Sequence, residues 1–184
     1  NGPKAAKLLD SIYRGMPIGT VLIWEAAKSQ RLHLRQRFHV LPAFNHRNSK
    51  VWFLVDGQQR VSVLFHVREG DCLQNARRQE IDFSRVVFSL EEEEDGQQIR
   101  YRRPIEGQYV SLSAVLHPQW RQKLSGLGVR QIERVRKCRD AILHYQVFEM
   151  FVESDLAAIR ETFLRINTQG MKVTTADAVF TQAE

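Results

Sequence analysis

The sequence has little of what several large classes of protein require. It has two cysteines in 184 residues, and Cys72 and Cys138 are too far apart for a C-x-x-C motif, which excludes a disulfide framework and a cysteine-based zinc site. We expect both thiols to be small buried groups. No apolar run approaches the roughly 18 residues of a membrane span, and residues 1–7 lack the apolar core of a signal peptide. These absences predict a cytoplasmic protein with no membrane partner.

The common phosphate-binding loops are also missing. Neither G-x-x-x-x-G-K-[ST] nor G-x-G-x-x-G occurs in the chain, so Walker-type hydrolysis is excluded. His33, His39 and His46 lack the spacing of metal ligands, and we expect them to be solvated or to face phosphate. The sequence pattern therefore leaves the identity of any bound metal unknown.

Positive charge is what the chain has in excess. It carries 27 Lys and Arg against 21 Asp and Glu, a net charge of +6, which favours polyanionic partners. The stretch 26–55 contains basic residues and no acid, and a basic amphipathic helix is predicted over Val129–His144. Residues 28–50 of this stretch and residues 130–139 of this helix support an alternative function, that of a non-catalytic DNA-binding sensor. The candidate DNA contacts are Arg31, Arg35, Arg37, Arg47, Lys50, Arg130 and Arg134.

The apolar periodicity predicts one mixed α+β domain over residues 1–184. Further helices are predicted over Ala5–Tyr13 with a stop at Gly15, directly after Asp56-Gly57, from an N-cap at Ser154 through Ile166, and from Thr174 onward. The predicted strands are Thr20–Trp24, a buried strand Val51–Val55, Ile81–Leu90, Ile99–Arg103 and Tyr145–Val152. The acidic run Glu91–Asp95 is predicted to be a solvated hairpin tip, and Trp24, Trp52 and Trp120 are predicted to lie in the core.

The pentapeptide Asp56-Gly57-Gln58-Gln59-Arg60 is the sharpest candidate site, because a predicted strand leads through it into a helix. Helix N-termini present unpaired N–H groups and a partial positive charge, which suit phosphate oxygens. Gly57 permits close approach of the backbone to a ligand. Arg60, in the first turn, is able to reach the same anion. Gln58 and Gln59 suit a water or a sugar hydroxyl, and Asp56 a water or a divalent cation.

A simpler interpretation stays open, in which Asp56 only caps the helix and Arg60 lies on the surface. A second Asp-Gly-Gln-Gln occurs at Asp95–Gln98, where the surrounding acidic hairpin predicts a turn and no helix follows. The tetrapeptide alone is therefore not specific.

Three stretches together resemble the nucleotide-hydrolysing domain at the front of GmrSD-like modification-dependent restriction enzymes. They are Leu8–Gly19 (LLDSIYRGMPIG), Val55–Arg60 (VDGQQR) and Phe163–Gly170 (FLRINTQG), and their order and spacing agree with that family from about Lys7 to the end of the chain. The family commonly has a Gln- and Arg-rich aromatic segment before its first helix, and this chain starts after that point. We expect the chain to be a fragment of a longer protein.

The resemblance implies a ParB and sulfiredoxin-like fold, hydrolysis of a nucleoside triphosphate with a divalent cation such as Mg²⁺, and a role in defence against phage or modified foreign DNA. It makes Asp56, Gln59 and Arg60 catalytic and Gly57 and Gln58 nucleotide-binding. Arg165, Asn167, Thr168 and Gly170 would form a supporting nucleotide-binding loop, although Asn167–Gly170 also suits a plain helix C-terminus. The implied partners are the nucleotide, DNA and an HNH-type nuclease domain. The chain shows no HNH-type cluster, so we expect no DNA cleavage from it.

Overall fold

The computed structural model describes residues 1–27, 50–74, 80–153 and 155–168. Over these residues helices alternate with short strands, which confirms the predicted α+β class. The helices are α1 (Gly2–Tyr13), α2 (Gln58–Glu69), α3 (Leu112–Leu116), α4 (Trp120–Lys123), α5 (Val129–Leu143) and α6 (Leu156–Thr168). The strands are β1 (Thr20–Ala27), β2 (Lys50–Asp56), β3 (Cys72–Gln74), β4 (Glu80–Asp82), β5 (Val86–Ser89), β6 (Ile99–Tyr101), β7 (Tyr109–Ser111) and β8 (Phe148–Val152). None of the helices in these ranges is long and apolar enough to cross a bilayer.

The chain divides into two compact units, each built from two separate stretches of sequence. The first unit comprises Asn1–Ile18 and Gln59–Gln146, and the second comprises Gly19–Gln58 and Val147–Glu184. Each unit has its own cluster of buried apolar side chains. The single domain expected over residues 1–184 stays a prediction.

The core of the first unit lies where α1 and α3 pack against an antiparallel sheet of order β6-β5-β7 and α5 packs against both helices. β5 is the central strand, and all four of its residues are buried, as expected for a strand covered on both faces. In α1 the apolar positions recur at helical spacing and meet this sheet. The buried apolar residues of α1 are Ala5, Ala6, Leu9 and Ile12.

The hairpin between β5 and β6 is only partly the solvated tip that its acidic sequence predicts. Most of its carboxylates are exposed, but Glu93 is half-buried and its Oε1 accepts a hydrogen bond of 2.7 Å from the Tyr109 hydroxyl. Arg100 lies 3.3 Å from the other carboxylate oxygen. The hydrogen bond from Tyr109 is the main cause that lowers the pKa of Glu93, and Arg100 lowers it further.

The second unit contains a three-stranded sheet of order β2-β1-β8, in which β1 is antiparallel to β2 and parallel to β8. One face packs on α6 through a cluster that includes Trp24, Val55, Ile159 and Phe163. Trp52 was expected in the core, but 61% of its surface is exposed. The reason is the alternation of a strand: Val55 lies on the face toward α6, and Trp52, three residues earlier, lies on the opposite face. The expectation of a fully buried β2 is therefore wrong.

Several other local predictions are confirmed or corrected. Cys138 is buried, as expected, and burial raises the pKa of its thiol. Cys72 is exposed, because it lies in the short two-stranded sheet of β3 and β4. Ser154, the expected N-cap, lies outside the described residues. Asp155 makes a hydrogen bond typical of an N-cap, because its Oδ1 accepts from the Ala158 N–H at 2.8 Å. The helix expected from Thr174 also lies outside the described residues.

Candidate functional site

The candidate pentapeptide occupies a strand, a glycine turn and a helix start, as the sequence predicts. β2 ends at Asp56 and α2 begins at Gln58. Gly57 between them is buried and has φ of 88°, a left-handed conformation that would cost a residue with a Cβ about 1–2 kcal/mol. The first turn of α2 contains no acidic residue. The backbone therefore turns at a glycine and presents a helix N-terminus without a carboxylate in that turn.

The two glutamines of the pentapeptide have different surroundings. The Gln58 side chain is half-buried and its Nε2 donates to the Leu54 carbonyl at 2.6 Å. This bond fixes the Gln58 amide against the end of β2. Gln59 is exposed. Gln59 therefore has the amide better placed to meet a solvent-borne ligand or water.

Arg60 lies in the first turn of α2 and is half-buried. Its Nη1 donates to the carbonyl of Ile18 at 2.8 Å. The Ile18 N–H donates to the Tyr145 hydroxyl at 3.2 Å, and that hydroxyl donates to the Met16 carbonyl at 2.9 Å. The guanidinium is thus oriented by a backbone segment that Tyr145 fixes on both sides of Pro17. The interpretation in which Arg60 merely lies on the surface does not fit these contacts.

Sequence reasoning missed the structural role of Asp10, which lies within the motif Leu8–Gly19. This carboxylate is only 6% exposed, and its Oδ1 accepts from the backbone N–H groups of Gln98 and Ile99 at 2.8 and 3.0 Å. Arg14 lies 3.8 Å from the other oxygen. The available signal was an acid at a helical position between Leu9 and Ile12, on the face that the core buries.

The second Asp-Gly-Gln-Gln forms the turn that was predicted for it. Gly96 has φ of 74°, and the Asp95 carboxylate accepts from the Gln97 N–H at 3.0 Å. No helix follows, because the chain enters β6 at Ile99. The buried Gln98 is the residue that Asp10 anchors. The same four residues therefore serve a structural purpose here.

The third motif is helical over the residues that the structure describes. Arg165 is exposed and forms an ion pair with Glu161 one turn earlier in α6. Asn167 and Thr168 belong to the last turn of α6, and Gly170 lies outside the described residues. The supporting loop expected from Arg165 to Gly170 is thus helical as far as Thr168. Its nucleotide-binding role and the alternative of a plain helix C-terminus both stay predictions.

The candidate DNA contacts are only partly placed. Arg31, Arg35, Arg37 and Arg47 lie outside the described ranges, and Lys50 begins β2. Arg130 is exposed on α5. Arg134 was expected to contact DNA, but its side chain is only 19% exposed.

The guanidinium of Arg134 is bound within the protein. It donates to the carbonyls of Ser89 and Glu91 at 3.1 and 2.9 Å and to the side chain of Gln98. It also lies 5.3 Å from the ring centre of Phe88. A phosphate contact by Arg134 would have to replace these hydrogen bonds, so the geometry favours a structural role for this side chain.

A divalent cation fits the pentapeptide only if groups outside the pentapeptide also coordinate it. Within the described part of the chain, no group of three or more His, Cys, Asp or Glu side chains is placed to hold a metal ion. Asp56 is the single carboxylate of the pentapeptide. Mg²⁺ is usually held by one or two carboxylates together with substrate phosphates and waters. Asp56 therefore suits a cation that arrives with a nucleotide.

Comparison with known proteins identifies the family. A family model described as the N-terminal domain of the GmrSD restriction endonuclease matches residues 2–182. No curated protein matches the sequence. The family match confirms the resemblance drawn from the three motifs, whereas the ParB and sulfiredoxin-like fold stays a prediction. The chain belongs to the family of GmrSD restriction endonuclease N-terminal domains.

Proposed function

We propose that this chain binds and hydrolyses a nucleoside triphosphate at Asp56–Arg60, and that turnover regulates the nuclease of a restriction system that acts on DNA. The observation that carries the proposal is the start of α2. A left-handed glycine leads into a helix whose first turn contains Arg60 and no acid. Membership of a restriction endonuclease family supports the biological setting.

Each residue of the pentapeptide has a part in this proposal. The N–H groups of the first turn of α2 bind phosphate oxygens, and the helix dipole favours the negative charge. Arg60 adds a cation in the same turn, oriented by its bond to the Ile18 carbonyl. Gln59 orients the attacking water, because its amide is exposed. Gln58, bound to the Leu54 carbonyl, stabilises the turn itself.

Asp56 is the proposed carboxylate for a divalent cation held jointly with the phosphates. When bound, such a cation neutralises the charge that develops on the transferred phosphoryl group. Phosphoryl transfer depends mainly on positioning and electrostatic stabilisation. A short turn that places a carboxylate and a helix N-terminus next to each other in sequence suits that requirement.

The test is phosphate release from a panel of nucleoside triphosphates by the intact protein, with and without Mg²⁺. Asp56→Asn should leave the fold intact, because asparagine has nearly the same size and shape as aspartate and α2 begins only at Gln58, two residues after Asp56. Its hydrolysis rate should fall by about a hundredfold or more, the typical cost of removing one preorganised electrostatic group from an active site.

Asp95→Asn is the matched control, since Asp95 begins the same tetrapeptide in a hairpin turn. The control should hydrolyse nucleotide at the parental rate. Hydrolysis by Asp56→Asn at the rate of the Asp95→Asn control would contradict the proposal.

A further inference from the structure

A groove of about 520 Å³ lies entirely within the first unit, between the end of α2 and the segment that contains α3 and α4. The close packing of these elements depends on Gly70, which has φ of +69°. A Cβ at this position would lie 2.7 Å from the Cβ and Oγ of Ser113. The polar residues that line the groove are Arg68, Glu69, Ser111, Ser113, His117 and Lys123.

The neutral side chains of the groove have hydrogens to donate. Nδ1 of His117 accepts from the Gln119 N–H at 3.0 Å, so the proton of the neutral ring lies on Nε2. The Ser111 hydroxyl accepts from the Ala114 N–H and from the Ser113 hydroxyl, both at 3.3 Å. Its own hydrogen is therefore available for a further acceptor. The donors of this groove suit a ligand with several acceptor oxygens.

The charges of the groove also favour an anion. Arg68 and Lys123 contribute two cations against the single carboxylate of Glu69. Arg68 lies 3.9 Å from Glu69, with side chains 64% and 48% exposed, so this ion pair is weak. None of the described carboxylates forms an ion pair with Lys123. The C-terminal end of α2 adds a partial negative charge of about half an elementary charge. The net charge of the groove stays positive when this partial charge and Glu69 are set against the two cations.

We infer that this groove binds a phosphate group, a function separate from the site at Asp56–Arg60. Phosphate carries several acceptor oxygens and negative charge, and Lys, Arg, His and Ser are its common partners in proteins. Two sources of that chemistry are compatible with the groove: the backbone of duplex DNA and a free phosphorylated small molecule. The candidate DNA contacts taken from the sequence include none of these residues, because Arg68 and Lys123 are far apart in the sequence and only the folded chain brings them to one groove.

The experiment compares Lys123→Gln and Arg68→Gln with the parent in the intact protein. Lys4→Gln is the matched control, because Lys4 is exposed on α1 and does not line the groove. One arm titrates inorganic phosphate while the amide NMR signals of the groove are followed. The other arm measures the affinity for a short duplex DNA at several salt concentrations. Thermal unfolding of all the variants checks that each one is folded.

If DNA is the source, each groove variant should bind duplex about tenfold more weakly, the usual cost of a hydrogen bond to a charged group. The slope of log affinity against log salt should also fall by about 0.9 per lost phosphate contact. If a small molecule is the source, inorganic phosphate should shift the amide signals of Ser111 and His117 in the parent and in the control but not in Lys123→Gln. The affinity for duplex DNA should then be equal in all variants. Absence of both effects would overturn the inference.

Discussion

Replacement of Asp10 by alanine should destabilise the first unit more than any surface substitution. The carboxylate is 6% exposed and accepts two backbone hydrogen bonds, from Gln98 and Ile99, at 2.8 and 3.0 Å. Alanine removes the acceptor and leaves both buried N–H groups without it. Because a buried donor that loses its partner bears a desolvation cost, the effect should be larger than that of a solvent-exposed hydrogen bond.

The magnitude follows from these two bonds. A hydrogen bond to a charged group contributes at least about 1.5 kcal/mol, so two of them give about 3 kcal/mol. The higher helix propensity of alanine returns about 0.5 kcal/mol. The net loss in the free energy of unfolding is therefore about 2.5 kcal/mol. For a chain of this length each kcal/mol lowers Tm by about 2–4 °C, which predicts a decrease of roughly 5–10 °C.

The assay is reversible urea unfolding with a parallel thermal melt. Asp140→Ala is the control, because it also replaces a helical aspartate by alanine but removes an ion pair with Arg136 in which both side chains are nearly half exposed. Such a pair contributes at most about 1 kcal/mol. Asp10→Asn keeps an acceptor oxygen and should fall between the two. Equal stability of Asp10→Ala and Asp140→Ala would refute the assignment of Asp10 as a buried anchor.

Two further predictions concern hydroxyl groups. The pKa of Glu93 is lowered chiefly by the hydrogen bond from the Tyr109 hydroxyl. The charged form of Glu93 therefore stabilises the fold at pH values above the usual glutamate pKa of about 4.3. This stabilisation is lost as the pH falls through the lowered pKa. Tyr109→Phe should raise that pKa in a carboxyl NMR titration, and an unchanged curve would refute the cause. Tyr145→Phe removes the hydroxyl that joins Met16 to Ile18. It should lower the free energy of unfolding by about 1–2 kcal/mol and should also lower the nucleotide turnover that depends on Arg60. Parental values of both quantities would contradict the assigned contact.

Local features of the fold could be predicted from the sequence because neighbouring residues determine them. The glycines at the end of α1 and the start of α2 have positive φ, as a helix end and a tight turn require. The apolar spacing of α1 and α5 located their buried faces. The α+β class follows from such elements.

Contacts between distant residues could not be predicted in this way. The bond from Asp10 to Gln98 joins residues 88 positions apart, and that from Tyr145 to Met16 joins residues 129 apart. Arg134 looked like a surface cation because its basic side chain lies among other basic residues of α5. Its carbonyl partners come from β5 and the following hairpin, which only the folded chain brings near it.

The paired Asp-Gly-Gln-Gln sequences bear on how this family is recognised in new genomes. A text search for those four letters would return both occurrences, although only the one at Asp56 leads into a helix. A search that also demands an apolar strand immediately upstream and an arginine immediately downstream retains Asp56 and rejects Asp95, which is followed by isoleucine after its second glutamine. Such a filter adds the local conformation to the letters, and it therefore separates two occurrences that the four letters alone cannot tell apart.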